Sequence, residues 1–192
     1  MSSIKTFILV LGPQGSGKST QAKLLAEYLD YKYVSTGDLF REKLKENDSL
    51  SQEIKSFVDN GKLVPDDIVE KMLFLHFDDE SAGYILDGYP RNLNQLNHFV
   101  SFLDEKSWVL LKAFFVNVGE PECVKRLNLR ASIEKRADET ESVIRERLRL
   151  YHEETSPLLE EYTKLGILKT IDGERSIEEI QSDIRSFFGN PF

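Results

Sequence analysis

The feature that most constrains this chain is a glycine-rich segment at residues 12–20, GPQGSGKST. It has the spacing Gly-x₄-Gly-Lys-Ser, and an apolar run at residues 7–11, FILVL, comes directly before it. Apolar residues spaced for one face of a helix follow at residues 22–29. Because a buried strand, a glycine loop and a helix in this order form a phosphate-binding P-loop, the segment predicts a nucleoside triphosphate site.

Each residue type in the loop has a physical role. Glycines let the backbone bring its N–H groups close to phosphate oxygens, and the helix beginning near Lys18 directs its positive dipole end at the same anion. Lys18 adds a mobile charge, and a hydroxyl at Ser19 or Thr20 can face Mg²⁺. The residues predicted to bind the triphosphate are Gly15, Ser16, Gly17, Lys18, Ser19 and Thr20.

Length and charge limit the remaining possibilities. A chain of 192 residues suits one domain with appendages, and a net charge of −8 argues against nucleic-acid or anionic-membrane partners. The single cysteine, Cys123, suits a reducing compartment, and the three histidines lack metal-ligand spacing, so no structural zinc is predicted. Without a signal peptide pattern or an apolar run long enough to span a membrane, we expect a cytoplasmic protein, and a monomer by default.

Strand-like and helix-like segments alternate along the chain. Strand patterns lie near residues 7–11, 31–34, 84–87, 113–118 and 167–171, with helical patterns between them. This alternation predicts an α/β fold of the P-loop type, with a five-stranded parallel sheet and helices on both faces. Two short, more polar helices between strands indicate a small subdomain. A long helix after residue 140 should be kinked at Pro157.

Charged residues follow the predicted strands at the edge where α/β folds bind ligands. Asp87 ends a strand, as does the acid that organises Mg²⁺ and its waters in P-loop enzymes, and Arg91 follows closely. Arg126 and Arg130 lie four residues apart on one helix face, where like charges repel. Carboxylate partners could offset that repulsion, but an anionic ligand between the two arginines is the favoured explanation.

Two further arginines are candidates for the same cleft. Arg136 lies in a short charged segment, residues 131–139, which is either an ordinary surface loop or a mobile flap. Arg147 lies beside the apolar stripe of the next helix, from where it could face a cleft.

Taken in order, these motifs resemble those of the adenylate kinases, in the nucleoside monophosphate kinase family. The resemblance covers residues from about 5 to about 187 and is of the short-lid type. Its segments are GPQGSGKSTQ at 12–21, STGDLFR at 35–41, GKLVPD at 61–66, ILDGYPR at 85–91, Arg126-x₃-Arg130, RADE at 136–139, the helix around Arg147, and IDG at 171–173. As a set they are specific, although only the P-loop would be convincing alone.

The resemblance implies the reaction MgATP + AMP ⇌ 2 ADP, with ATP, AMP and ADP as the ligands and Mg²⁺ as the cofactor. It implies a single kinase domain with a core (1–34, 65–129 and 141–192), an AMP-binding subdomain (35–64) and a lid (130–140). It assigns ATP contacts to Arg126, Arg130 and the backbone of Arg175. It assigns AMP contacts to Thr36, Arg41, Lys62, Leu63, Val64, Gly88, Tyr89, Pro90, Arg91, Gln95, Arg136 and Arg147.

Phosphate chemistry agrees with this assignment. Two polyanionic substrates must meet end to end, so their repulsion has to be neutralised, and guanidinium groups suit phosphate oxygens. A phosphate monoester is already largely dianionic at neutral pH, so no general base is needed. The residues predicted to be catalytic are Lys18, Arg91, Arg126, Arg130, Arg136 and Arg147.

The choice of monophosphate depends on a few side chains. Thr36 and Gln95 match the adenine-contacting positions of similar adenylate kinases, whereas Asn92 resembles the UMP/CMP kinases. Because an amide can pair with adenine's donor and acceptor edge, AMP is predicted. A UMP/CMP kinase and another P-loop kinase of a small metabolite remain alternatives. A catalytically dead nucleotide-binding protein is hard to reconcile with the intact set of cations.

The chain departs from the family pattern in three places. Ser19 replaces a usual glycine, Glu139 replaces a usual aspartate, and the short lid lacks the glycines common there. The Mg²⁺ contact therefore stays open between Ser19, Thr20 and waters held by Asp87. A GTPase-type switch is disfavoured because Asn-Lys-x-Asp and Asp-x-x-Gly are both absent from the sequence.

Overall fold

The computed structural model describes residues 4–78, 80–134 and 140–189. The strands are β1 (Thr6–Leu11), β2 (Lys32–Ser35), β3 (Gly83–Asp87), β4 (Val109–Asn117) and β5 (Leu168–Asp172). The α-helices are α1 (Lys18–Leu29), α2 (Thr36–Lys43), α3 (Ser49–Val58), α4 (Asp66–Phe74), α5 (Leu93–Lys106), α6 (Glu120–Glu134), α7 (Glu141–Leu150), α8 (Leu158–Lys164) and α9 (Ile177–Ser186). A π-helical turn, Tyr151–Thr155, lies between α7 and α8.

The five strands form one parallel sheet in the order β2-β3-β1-β4-β5, which confirms the predicted fold class. β1 is central and is buried from Phe7 to Leu11, as expected of a parallel strand covered on both faces. In the sheet register Asp87 of β3 pairs with Val10 of β1 on one side and with Ser35 of β2 on the other. The segments that follow these three strands therefore meet at one edge.

Alternate residues of β1 pack into two different apolar clusters, one on each face of the sheet. Phe7 and Leu9 belong to one cluster, and Ile8 and Val10 belong to the other. The first cluster also contains Phe40 of α2 together with apolar residues of α3, so these two short helices share a core with the sheet. The second cluster contains apolar residues of α1 and α9, so the prediction of helices on both faces is confirmed.

The segment after residue 140 differs from the single kinked helix that the sequence predicts. α7 ends at Leu150, and the turn Tyr151–Thr155 is wound more widely, with the Ser156 N–H donating to the Tyr151 carbonyl at 2.8 Å. Pro157 has no N–H to donate to the preceding turn, which accounts for the break of the regular α pattern just ahead of it. The regular α-helix therefore ends upstream of the proline, at Leu150.

The predicted lid begins inside α6, which continues from Arg130 to Glu134. The rest of that segment, residues 135–139 with Arg136 and Glu139, lies outside the described residues. In the part of the chain that the structure covers, no helix is both long enough and apolar enough to cross a membrane.

Candidate active site

A cavity of about 470 Å³ lies at the carboxyl edge of the sheet. Its wall combines the P-loop, the start of α2, the loop before α4, the segment after β3, three residues of α6 and one residue of α7. The predicted site residues that line it are Gly15, Gly17, Lys18, Ser19, Thr20, Thr36, Arg41, Lys62, Leu63, Val64, Gly88, Arg91, Gln95, Arg126, Arg130 and Arg147, and Asp87 joins them. The fold thus brings predicted donor and acceptor residues into one space.

Four other predicted site residues lie elsewhere in the described chain. Ser16 is a buried residue of the P-loop, and its hydroxyl accepts from the Lys18 N–H at 3.4 Å. Tyr89 is a core residue whose hydroxyl donates to the Gln95 carbonyl, and Pro90 beside it is buried. Arg175 lies on a separate shallow surface and forms an ion pair with Asp183 at 2.5 Å. Their contacts with nucleotides stay predictions, as do those of Arg136.

The P-loop packs directly against the start of α6. A Cβ on Gly15 would lie 2.5 Å from the Cys123 carbonyl oxygen, and the residue has a φ of +85°, so only glycine fits there without strain. The Lys18 ammonium donates to the Pro13 carbonyl at 3.3 Å. Burial lowers the pKa of Lys18 to about 8; Asp87 opposes this shift, while Arg91 and Arg130 add to it. A phosphate in the cavity would relieve that unfavourable environment.

Asp87 is 3% exposed and receives a hydrogen bond from the Tyr33 hydroxyl at 2.9 Å. Burial, with Asp87 adding to its effect, raises the pKa of Tyr33 well above its ordinary value, so the phenol stays a donor. Tyr33 also lines the cavity, and sequence reasoning missed it. The signal would have been the pairing of β2 with β3, which the sequence does not specify.

The segment after β3 is held by a short series of hydrogen bonds. The Thr36 hydroxyl and the Arg91 Nε both donate to the Gly88 carbonyl, each at 2.9 Å. A Cβ on Gly88, which has a φ of +81°, would lie 2.8 Å from the Thr36 hydroxyl oxygen. The Thr155 hydroxyl donates to the Arg91 carbonyl at 2.8 Å. Thr36 and Arg91 are therefore fixed at the cavity wall before any ligand binds.

Positively charged side chains lie close together near Arg91. Burial lowers the pKa of Arg91, with Asp87 opposing the shift and Arg147 adding to it. The Arg147 guanidinium reaches across to the Val58 carbonyl at 3.5 Å. The crowding of cations here indicates a site for a multiply charged anion.

Arg126 has a carboxylate partner, in line with the explanation that the sequence analysis did not favour. Its Nε donates to Glu122, one helical turn earlier, at 2.9 Å, and its Nη1 donates to the Gly173 carbonyl at 3.1 Å. The spacing of Arg126 and Arg130 therefore does not by itself require a ligand. Both still line the cavity, which is the better reason to regard them as binding residues.

Asn92, the residue that favoured a pyrimidine nucleotide, has a structural role. It is the N-cap of α5, where its Oδ1 accepts from the Gln95 N–H at 2.8 Å and its Nδ2 donates to Asp66 at 3.0 Å. Gln95 lines the cavity and Asn92 is not among its wall residues in the described chain. The structure thus removes the reason for weighing Asn92 against AMP.

The cavity wall carries an excess of positive charge within an acidic chain. Its basic residues are Lys18, Lys23, Arg41, Lys62, Arg91, Arg126, Arg130 and Arg147, and its acidic ones are Asp38 and Asp87. The net charge of the whole chain is −8. Cations gathered at one cavity attract and hold phosphate groups, whereas the acidic remainder repels polyanions elsewhere.

Comparison with known proteins shows that the chain is similar to adenylate kinases along most of its length. The family model described as adenylate kinase matches residues 10–167. A protein named adenylate kinase from Thermobifida fusca is 42% identical over 178 residues, which is 90% of this chain and 93% of that protein. Proteins of the same name from Micrococcus luteus and Prochlorococcus marinus (strain MIT 9301) are 40% and 37% identical, covering 91% and 95% of this chain and 86% and 98% of their own lengths.

Proposed function

The chain belongs to the adenylate kinase family, and from this we propose that its cavity transfers the γ-phosphoryl group of MgATP to AMP, giving two ADP reversibly. The observation that carries the proposal is the gathering of donor-side and acceptor-side cations around one cavity of about 470 Å³. The sequence motifs, the fold and the similarity to adenylate kinases all agree with a nucleoside monophosphate kinase.

The cavity wall has two halves. One binds ATP, the phosphoryl donor, and the other binds AMP, the phosphoryl acceptor. On the donor half, the P-loop from Gly15 to Thr20 holds the β- and γ-phosphates, and Arg126 and Arg130 bind their remaining oxygens. On the acceptor half, Thr36, Arg41, Arg91 and Gln95 bind AMP, and residues 62–64 close the wall beside it. Arg147 reaches the phosphates between the two halves.

The reaction needs positioning and charge neutralisation more than proton transfer. The phosphate of AMP is largely dianionic at neutral pH, so it attacks the γ-phosphorus without a base. Lys18 and the arginines oppose the mutual repulsion of the two substrates and stabilise the charge on the transferring group. We propose that residues 35–64 act as the AMP-binding subdomain and residues 130–140 as a lid that keeps water from the γ-phosphate.

Mg²⁺ fits the residues present. In the described ranges no three His, Cys, Asp or Glu side chains are grouped so as to hold a metal ion. Mg²⁺ is commonly held by nucleotide phosphates and water, with few ligands from the protein. Asp87 would orient its waters, and the hydroxyl of Ser19 or Thr20 would reach it. When bound, Mg²⁺ neutralises charge on the β- and γ-phosphates.

Other expectations stay predictions from the sequence. These are a monomeric state, a cytoplasmic location, and the absence of a structural zinc and of nucleic-acid or membrane partners.

A coupled assay of ADP formation tests the proposal. With ATP and Mg²⁺ present, we expect AMP to be a better acceptor than CMP, UMP or GMP. Lys18→Ala and Arg91→Ala should each lower kcat by roughly 10²–10³-fold, because each removes a charge that faces the transferring group. Arg145→Ala is the matched control, because Arg145 is exposed and paired with Glu141 on the helix that carries Arg147. A preference for CMP or UMP, or near wild-type turnover in either site variant, would contradict the assignment.

A further inference from the structure

Asp66, the first residue of α4, accepts three side-chain amides from the start of α5. Gln95 Nε2 donates to its Oδ1 at 2.7 Å, Asn92 Nδ2 donates to the same oxygen at 3.0 Å, and Asn94 Nδ2 donates to Oδ2 at 2.8 Å. Burial raises the pKa of Asp66, but hydrogen bonds from Asn94, Asn92 and Gln95 outweigh it, so the pKa lies below its ordinary value. The carboxylate is therefore ionised at neutral pH and acts only as an acceptor.

These contacts fix the direction of the Gln95 amide. Its Nε2 faces Asp66, and its Oε1 accepts from the Arg91 N–H at 2.8 Å, so exchanging the two ends would set donor against donor and acceptor against acceptor. Gln95 is 2% exposed and lines the cavity. The two bonds use one of the two N–H groups and one of the two lone pairs, so the amide can still offer a ligand one donor and one acceptor.

A directed amide can distinguish purines that differ at position 6. Adenine presents an amino donor beside a ring-nitrogen acceptor, which matches an amide's oxygen and N–H. Hypoxanthine presents a carbonyl acceptor beside a ring N–H donor, which would require the amide to point the other way. Only an amide held in one direction can prefer the first base strongly over the second.

We propose that Asp66 is a positioning residue that holds the Gln95 amide in one direction and thereby sets the preference of the acceptor site for a 6-aminopurine. The proposal rests on the proposed function, in which Gln95 contacts the acceptor base. Asp66 itself is not among the residues of the cavity wall, so it acts through Gln95 and not on the substrate.

A purely structural role for Asp66 makes a different prediction. The same contacts connect the starts of α4 and α5, so losing them would weaken the fold, but it would not change the ratio of two acceptors that differ only at position 6. The useful readout is therefore the ratio of kcat/KM for AMP to kcat/KM for IMP, measured with saturating MgATP. Dividing the two values removes any effect of a smaller fraction of folded enzyme.

The test compares Asp66→Ala with Asp67→Ala, which removes a neighbouring exposed carboxylate from the same helical turn. We expect Asp66→Ala to lower the ratio of kcat/KM for AMP to kcat/KM for IMP about tenfold. This is about the effect of losing one hydrogen bond to a charged group. Asp67→Ala should leave the ratio unchanged. Asp66→Asn keeps an oxygen acceptor without its charge, so a smaller fall of about threefold is expected. If Asp66→Ala does not fold, an unchanged ratio in Asp66→Asn overturns the proposal.

A double-mutant cycle then tests whether Asp66 acts through Gln95. Gln95→Ala should lower the ratio by itself, and adding Asp66→Ala should have no further effect on it. If Asp66→Ala leaves the ratio unchanged, the positioning role is overturned. It is also overturned if Asp66→Ala lowers the ratio by the same factor in Gln95→Ala as in the wild type. In both cases the proposed function stands. If the unmodified enzyme does not phosphorylate AMP, both proposals fail, and that result is distinguishable because it needs no variant.

Discussion

Lys18 is held where its positive charge is poorly solvated unless an anion is present. Burial lowers its pKa to about 8; the attraction of Asp87 opposes this shift, and the repulsion of Arg91 and Arg130 adds to it. A bound phosphate reverses this balance, because it places negative charge next to the ammonium. Binding of the triphosphate and protonation of Lys18 are therefore coupled.

This coupling predicts a dependence of ATP affinity on pH. The pKa of Lys18 is about 8 in the free protein and higher in the complex, so above pH 8 the complex holds a proton that the free protein lacks. Affinity should be at its full value below that pH and then fall with rising pH, at a limiting slope of about tenfold per pH unit.

Isothermal titration calorimetry between about pH 7 and pH 9.5, in buffers of different ionisation enthalpy, measures both the affinity and the proton uptake. Lys18→Ala should bind more weakly, with an affinity that is nearly flat over the same range. Equal slopes in the wild type and in this variant would show that another group is responsible.

Among the structural elements, the π-helical turn Tyr151–Thr155 has a direct link to the site. Its last residue, Thr155, donates its hydroxyl to the Arg91 carbonyl at 2.8 Å, while Arg147 on the preceding α7 lines the cavity. Widened turns of this kind are frequent at functional sites because they change which side chains face inward. The turn and the helix before it thus contribute two residues to the site, Thr155 through the Arg91 carbonyl and Arg147 at the cavity wall.

We expect Thr155→Val to lower the free energy of unfolding by about 1 kcal/mol, since it leaves the Arg91 carbonyl without this partner. Because the backbone of Arg91 is then less restrained, kcat should also fall several-fold. Thr163→Val is the matched control, since the Thr163 hydroxyl only donates within its own helix, to Leu159. Urea denaturation and the coupled assay give both quantities. If both variants have the same kcat, Thr155 does not help to place Arg91.

The elements themselves were largely predictable, whereas the contacts between them were less so. The apolar run before the P-loop and the alternation of strands and helices predicted the parallel sheet, because these patterns are local. The break at Tyr151–Thr155 was not predicted, because the apolar stripe continues through it and only Pro157 gave a visible signal. Glu122 lies four residues before Arg126, so the sequence allows their ion pair, but the spacing alone does not choose between a carboxylate partner and an anionic ligand.

Site residues in recognisable motifs were predicted, and those that depend on the packing of distant segments were missed. Tyr33 reaches Asp87 only because β2 pairs with β3, and Asp66 reaches Gln95 only because α4 and α5 begin side by side. The role of Asn92 likewise depends on the folded chain. Its position after Arg91 resembled a nucleotide-reading residue, whereas the folded chain uses it as a helix cap.

At the scale of the whole molecule, the arrangement of charge serves binding at the expense of stability. The chain as a whole is acidic, with a net charge of −8, yet its cations are concentrated around one cavity. Burial lowers the pKa of Lys18 and of Arg91, and neighbouring arginines lower both further, which means that the nucleotide-free protein keeps these charges at a cost. Nucleotide binding should relieve that cost and stabilise the fold as a whole.

Lys18→Met therefore should stabilise the nucleotide-free protein while it removes activity. At pH 7 we expect the free energy of unfolding to rise by about 1 kcal/mol, since a poorly solvated charge is replaced by an apolar side chain of similar length. Lys45→Met is the control, because it changes the net charge equally at an exposed position. Chemical denaturation should then be repeated with ATP at 100 times the wild-type Kd, where the wild type should gain about 2.7 kcal/mol and Lys18→Met much less. If nucleotide-free Lys18→Met is less stable than the wild type, the Lys18 ammonium stabilises the fold. The cations of the cavity then do not destabilise the nucleotide-free protein.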